Sequence, residues 1–141
     1  MKKDVLIDIA SSQTVDGNKD KMEVSVTGTL IYDDDGYRIE YTEYDGEMQG
    51  TSTSVSVSGT DCVSILRVGA YSSEMMLENE KRHSCLYSTP YGELTMGLYT
   101  KKIKSDMTNN GGILEMSYTI DFSMGQVTEN TMKITVSERN I

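Results

Sequence analysis

The residues with the greatest chemical potential lie close together in the chain, between Lys81 and Tyr99. This segment contains the single histidine, His83, and one of the two cysteines, Cys85. An imidazole near a thiol can activate that thiol as a nucleophile. No third group in the segment is placed to orient the imidazole, and cysteine is more often a small buried hydrophobic residue than a reactive thiol. We therefore interpret His83 as a buried core residue, with a ligand contact as the alternative, and we predict no enzymatic activity.

The same segment has the pattern of a β-hairpin. Pro90 fixes a backbone φ suited to the second position of a type I turn and Gly92 is favoured at the fourth, so Thr89–Gly92 is predicted to form the tip. Counting back from the tip sets the register of the two arms. One face then carries the pairs Tyr87–Leu94, Cys85–Met96 and His83–Leu98, and the other carries Leu86–Thr95, Ser84–Gly97 and Arg82–Tyr99. We expect the apolar face, with His83, to point into the core, and the polar face to carry Arg82.

Basic residues cluster around this hairpin, at Lys81, Arg82, Lys101, Lys102 and Lys104. The whole chain has a formal net charge of -9, so a local positive patch could bind an acidic group. The alternative is local charge compensation on a solvated face, with the Arg82 guanidinium stacked on the ring of Tyr99. We favour local charge compensation, with binding of an acidic group as the alternative.

The size and charge of the chain limit its possible functions. Its 141 residues suffice for one core, and we treat residues 1–141 as a single domain. The negative charge disfavours binding to nucleic acid and to anionic membranes, because both are themselves negatively charged. No stretch reaches the roughly 20 apolar residues of a membrane span, and Asp4 and Asp8 interrupt any signal peptide. We therefore expect a cytoplasmic protein in which Cys62 and Cys85 are reduced.

No metal or other cofactor is predicted. One histidine and two distant cysteines do not form a zinc-binding pattern. The acidic run Asp33-Asp34-Asp35-Gly36 lacks the alternating ligands and the distant glutamate of a calcium loop. We interpret it as a charged turn.

Apolar and polar residues alternate with a period of two along almost the whole chain, a pattern that predicts β-strands and little or no helix. Turn signals separate the strands near residues 16–20, 33–36, 44–47, 59–61, 78–80, 89–92, 109–112 and 124–126. A sheet of eight to ten consecutive strands with one apolar face is best buried by closing on itself. The predicted fold class is all-β, a single antiparallel up-and-down barrel.

The interior of such a barrel could be open or filled. The residues predicted to face inward include the large rings of Tyr32, Tyr37, Tyr41, Tyr87, Tyr118 and Phe122. They also include smaller residues that would leave room, namely Gly28, Thr51, Thr53 and Val55. The strand at residues 62–68 has apolar residues on both faces, so its inward face is not assigned.

Several segments resemble one known family. They are the opening Lys-Lys-Asp-Val-Leu-Ile, Leu66-Arg67-Val68-Gly69-Ala70, Lys81-Arg82-His83 leading to Tyr87-Ser88-Thr89-Pro90-Tyr91-Gly92, Leu98-Tyr99-Thr100-Lys101-Lys102 and Asn110-Gly111-Gly112. Together they resemble the YwiB-like proteins, which are small bacterial proteins with a calycin-like β-barrel and no established activity. The resemblance implies that fold and a bacterial cytoplasmic setting, and it brings no catalytic motif.

We expect a non-catalytic protein that binds a small apolar or amphipathic ligand in the barrel lumen. The predicted ligand-binding residues are Arg82, His83, Tyr87, Met96 and Tyr99. The alternative is an interaction or structural protein with a filled barrel, which could form a homodimer.

Overall fold

The computed structural model describes residues 2–42, 50–59, 61–70, 72–122 and 127–139, and within these ranges every regular element is a β-strand. There are ten, β1 (Lys2–Val15), β2 (Asn18–Asp33), β3 (Gly36–Thr42), β4 (Ser52–Ser58), β5 (Cys62–Val68), β6 (Ser72–Glu78), β7 (Arg82–Thr89), β8 (Gly92–Thr108), β9 (Gly111–Phe122) and β10 (Val127–Glu138). No helix in these ranges is long and apolar enough to cross a membrane.

The strands form a closed antiparallel barrel in which each strand pairs with its neighbours in sequence. The barrel closes where β1 pairs with β10, from Val5 opposite Glu138 to Thr14 opposite Glu129. The predicted all-β up-and-down barrel of eight to ten strands is confirmed. Closure removes the unpaired edges that an open sheet of this size would expose.

Three of the tight hairpins use the same local chemistry, an oxygen-bearing side chain followed three residues later by glycine. The Thr89 hydroxyl accepts a hydrogen bond from the backbone N–H of Tyr91 (3.1 Å) and donates one to the carbonyl of Gly92 (2.9 Å). Thr108 makes the equivalent bonds with Asn110 and Gly111. Asp33 uses its carboxylate to accept from the backbone N–H groups of Asp35 and Gly36. The predicted turns at 44–47 and 124–126 lie outside the described residues.

The register of the β7–β8 hairpin is the one obtained by counting from its tip, with His83 opposite Leu98 and Arg82 opposite Tyr99. On β5, the inward face carries Val63, Ile65 and then Arg67. Leu66 and Val68 on the other face are 43% and 58% exposed. The inward face of β5, which the sequence did not assign, therefore carries Arg67.

Aliphatic side chains fill the middle of the barrel. The largest fully buried side chains include Ile7, Leu30, Ile39, Ile65, Leu77, Leu98, Leu114 and Ile134. The room expected beside Gly28 is occupied, because a Cβ there would lie 2.6 Å from Cδ1 of Ile7 and even closer to the carbonyl oxygen of Glu40. Polar side chains face inward at other levels, where candidate ligand contacts must be sought.

Candidate functional site

Arg67 is a cation on the inward face of β5. In the ladder it lies between Thr53 of β4 and Ser73 of β6, both of which are buried. Its guanidinium makes one long contact, from Nη1 to Sδ of Met75 at 4.0 Å. Thioether sulfur is a weak acceptor, and no carboxylate among the described residues forms an ion pair with Arg67.

Three inward hydroxyls of the barrel have no hydrogen-bond partner among the described protein groups, namely those of Thr53, Ser73 and Thr100. These residues are 2%, 5% and 0% exposed. Buried hydroxyls in folded proteins are almost always hydrogen-bonded, and leaving one unpaired costs about 1–3 kcal/mol. Thr53 and Ser73 flank Arg67, and Thr100 pairs with Tyr118 on β9.

Tyr118 links the two sides of this arrangement. Burial raises the pKa of its phenol, and the positive charge of Arg67 partly offsets that rise. We call Thr53, Arg67, Ser73, Thr100 and Tyr118 the Arg67 cluster. A guanidinium with free N–H donors, surrounded by hydroxyls, is suited to binding a carboxylate or phosphate.

Chemically, this cluster is suited to binding and not to proton transfer. Arginine stays protonated at any ordinary pH, and the raised pKa of Tyr118 keeps its phenol neutral. Cys85 is buried, and burial also raises the pKa of its thiol, which opposes formation of the nucleophilic thiolate. The Nε2 atom of His83, two residues away on the same strand, contacts Glu78 and not this thiol.

The five sequence-predicted site residues are not brought together. His83, Tyr87 and Met96 lie on the inward face of the β7–β8 hairpin, whereas Arg82 and Tyr99 lie on the outward face. Of the five, Tyr87 is the one that borders the Arg67 cluster, because it pairs with Ser73. Arg82 and Tyr99 therefore do not face the lumen with the other three residues.

Arg82 is held by Asp121, not by the ring of Tyr99 as predicted. Its Nη1 and Nη2 donate to the two carboxylate oxygens of Asp121 at 2.6 and 2.7 Å. This ion pair lies over Gly97, where an added Cβ would collide with both partners. The hydrogen bond and charge of Arg82 lower the pKa of the Asp121 carboxyl. For Arg82, local charge compensation is the correct interpretation.

His83 also has a carboxylate partner, and its side chain is 31% exposed, so the prediction of a buried core histidine is wrong. Its Nε2 lies 2.9 Å from Oε1 of Glu78, and Lys81 lies 3.3 Å from the other oxygen. Lys81 first, and His83 to a lesser extent, lower the pKa of Glu78. Within the described residues β6 and β7 pair only at Ser72–Ser88 and Ser73–Tyr87, so this contact spans the place where they diverge. We interpret it as structural.

The sequence did contain a signal for Arg67. Thr53, Val55 and Val57 were already predicted to face inward on β4. Pairing across the turn near residues 59–61 sets Val57 opposite Val63 and Thr53 opposite Arg67. The apolar residues on both faces of β5 obscured this signal. Leu66 and Val68 suggested that the even-numbered residues, and not Arg67, face inward.

Comparisons with known proteins agree with this fold. The family model described as a domain of unknown function, DUF1934, matches residues 7–134. The crystal structure of the YwiB protein from Bacillus subtilis is similar with a TM-score of 0.88 and 22% sequence identity, over 99% of this chain and 94% of that chain. No curated protein matches the chain. The resemblance inferred from sequence is confirmed.

Proposed function

We propose that this chain, a member of the DUF1934 family of unknown function, is a non-catalytic barrel protein. We propose that it binds a small amphipathic anion at the Arg67 cluster. The observation that carries the proposal is a partly buried guanidinium that has no carboxylate partner among the described residues, flanked by the buried hydroxyls of Thr53 and Ser73, which have no partner there either. Each of these groups is costly to desolvate, and a bound carboxylate or phosphate would satisfy several of them at once.

The surroundings of Arg67 favour a ligand with both an anionic and an apolar part. Tyr41 pairs with Thr53, and Tyr87 pairs with Ser73, so aromatic rings adjoin the hydroxyls on both sides. Tyrosine combines an apolar ring with a polar tip, and so can contact both parts of an amphipathic molecule. Ligands that are purely apolar would leave the guanidinium unpaired.

Hexanoate and hexyl phosphate test the proposal, with hexanol as the uncharged control of the same chain length. We expect both anions to bind and to raise the melting temperature, because a ligand of the native state stabilises it by mass action. Hexanol should bind at least tenfold more weakly, a difference of about 1.4 kcal/mol. Calorimetric titration measures all three. If neither anion binds, the proposal is wrong.

Two matched variants locate the binding site. Arg67→Met and Arg82→Met each remove one positive charge and keep an unbranched side chain. We expect Arg67→Met to weaken hexanoate binding at least tenfold, because it removes the charge-assisted hydrogen bonds. Arg82→Met should bind as the wild type does, because Arg82 lies outside the barrel and is paired with Asp121. Equal binding by the wild type and Arg67→Met would exclude the Arg67 cluster as the site.

A further inference from the structure

Lysines without carboxylate partners concentrate on one part of the outer surface. Of the 13 lysines and arginines, five form ion pairs with aspartate or glutamate among the described residues, namely Lys3, Arg38, Lys81, Arg82 and Lys101. Five of the other eight line a single groove, namely Lys19, Lys21, Lys102, Lys104 and Lys133. We call this surface the lysine groove. On a chain with a net charge of -9, such a concentration of unpaired positive charge requires an explanation.

The strand register builds the lysine groove from distant parts of the sequence. Ladder pairs connect Lys21 with Ser12, Ser12 with Thr131, Thr131 with Ser117 and Ser117 with Lys102. This row crosses β2, β1, β10, β9 and β8 on the outer face, with a lysine at each end and small hydroxyl residues between. The β-bulge at Lys101 shifts the register of β8, and the lysines beyond it, Lys102 and Lys104, line the groove.

The groove has the dimensions and chemistry of a small-molecule site. Its volume is about 460 Å³, within the range of about 300–1,000 Å³ typical of ligand pockets. Ser12, Ser117 and Thr131 supply hydroxyl groups, and Met22, which is 64% exposed, supplies apolar surface. Glu23 and Glu115 also line it, so the lining residues carry a net charge of +3.

We propose that the lysine groove binds a small molecule carrying two or more phosphate groups. Lysine is a common phosphate ligand as a compact positive charge, and hydroxyls complete the coordination of phosphate oxygens. Each end of the row carries two lysines on one strand, Lys19 and Lys21 on β2 and Lys102 and Lys104 on β8, and such a pair of neighbouring positive charges suits two or more linked phosphates better than a single phosphate. The overall negative charge disfavours a long polyanion such as nucleic acid.

Calorimetric titration with ATP and with inorganic tripolyphosphate tests this proposal and distinguishes organic from inorganic phosphate. A glutamate hexapeptide is the non-phosphate anion. We expect at least one of the two phosphates to bind at least tenfold more tightly than the peptide, with an affinity that decreases as salt is added. Tighter binding of ATP would identify an organic ligand, because its nucleoside part can contact Met22. Absence of binding by both phosphates, or tighter binding of the peptide, would overturn the proposal.

A pair of charge-matched double variants tests the location. Lys21→Gln/Lys102→Gln removes both ends of the hydroxyl row, whereas Lys3→Gln/Lys101→Gln removes two lysines that are outside the groove and ion-paired. Both have the same net charge, and the control changes Lys101, which is 47% exposed, and Lys3, which is 26% exposed. The first should weaken phosphate binding at least tenfold and the second less than twofold. Equal effects would assign the binding to overall charge and exclude the groove. Arg67→Met should leave phosphate binding unchanged, which separates this site from the barrel interior.

Discussion

Arg67 and Arg82 are the same residue type on strands of the same barrel, yet their environments are opposite. Arg82 lies on the outer face, where both carboxylate oxygens of Asp121 accept its hydrogen bonds. Arg67 lies on the inner face, where its Nη1 is 4.0 Å from the thioether sulfur of Met75. The outer arginine is already paired with a carboxylate of the protein. The inner one has no carboxylate partner among the described residues, in surroundings that make an unpaired charge costly.

The two environments also differ in what they contribute to stability. An exposed ion pair contributes little to folding, because water solvates both charges when they separate. Buried polar groups without partners oppose folding, and proteins retain them chiefly where they have a function. The contrast therefore leads to a direct expectation: substitutions that remove polar groups inside the barrel should stabilise it, and substitutions that disturb the outer pair should weaken it slightly.

The largest effect is expected from the buried hydroxyls. Thr53→Val and Thr100→Val each replace an unpartnered hydroxyl by a methyl group of similar size. We expect each to increase the free energy of unfolding by about 1–2 kcal/mol, because the desolvation penalty of the hydroxyl is removed. Urea denaturation measures this, with the slope of the transition checked for a constant denatured state. The same variants should bind hexanoate more weakly than the wild type does.

Thr27→Val provides the control for these variants. Thr27 is exposed on the outer face of β2, so its hydroxyl remains solvated in the folded protein. The unfolding free energy should then change by no more than about 0.5 kcal/mol. If Thr53→Val and Thr100→Val destabilise the protein while Thr27→Val does not, the buried hydroxyls have hydrogen-bond partners. The barrel interior is then a packed core with no unsatisfied group for a ligand to bind.

Most of the fold follows from local sequence rules. The period-two alternation predicted the strands. The turn at Thr89–Gly92 predicted the register of β7 and β8 residue by residue, because a two-residue loop allows the two strands to pair in one register only. The space beside Gly28 was not predictable in this way. It is filled by Ile7 from the neighbouring strand, and a sequence pattern does not give the direction in which that side chain packs.

The candidate sites were less accessible to sequence reasoning because they depend on pairings between distant strands. Arg67 becomes an inward residue through its ladder partner Thr53, and its relation to Tyr118 crosses the lumen. The lysine groove requires the registers of five strands to be known together. Histidine and cysteine attracted attention by their rarity in the chain, but His83 is bonded to Glu78 and Cys85 is buried.

A smaller effect is expected from the pH dependence of the outer pair. Arg82 lowers the pKa of Asp121 below its ordinary value of 3.8, so the folded protein binds this proton less readily than the unfolded chain does. The stabilisation is complete above that ordinary value and is lost as the pH falls through the lower pKa of the folded state. We expect Asp121→Asn to reduce the loss of stability on acidification below about pH 4.

Urea denaturation at a series of pH values between neutrality and pH 3 measures this dependence. Arg67→Met is the informative comparison, since no described carboxylate forms an ion pair with Arg67. Its acid dependence should match that of the wild type. A change in the acid dependence of Arg67→Met similar to that of Asp121→Asn would mean that the inner arginine also stabilises a carboxylate.

The smallest effect, and the most specific, concerns Gly97 beneath the outer pair. An added Cβ would collide with the ends of Arg82 and Asp121, so Gly97→Ala should displace the ion pair and lower the melting temperature by no more than about 3 °C. In the Arg82→Ala/Asp121→Ala background the obstacle is absent, and alanine is favoured over glycine within a strand by roughly 0.5–1 kcal/mol. Gly97→Ala should therefore raise the melting temperature there. A decrease in both backgrounds would show that the backbone, and not the ion pair, requires glycine at this position.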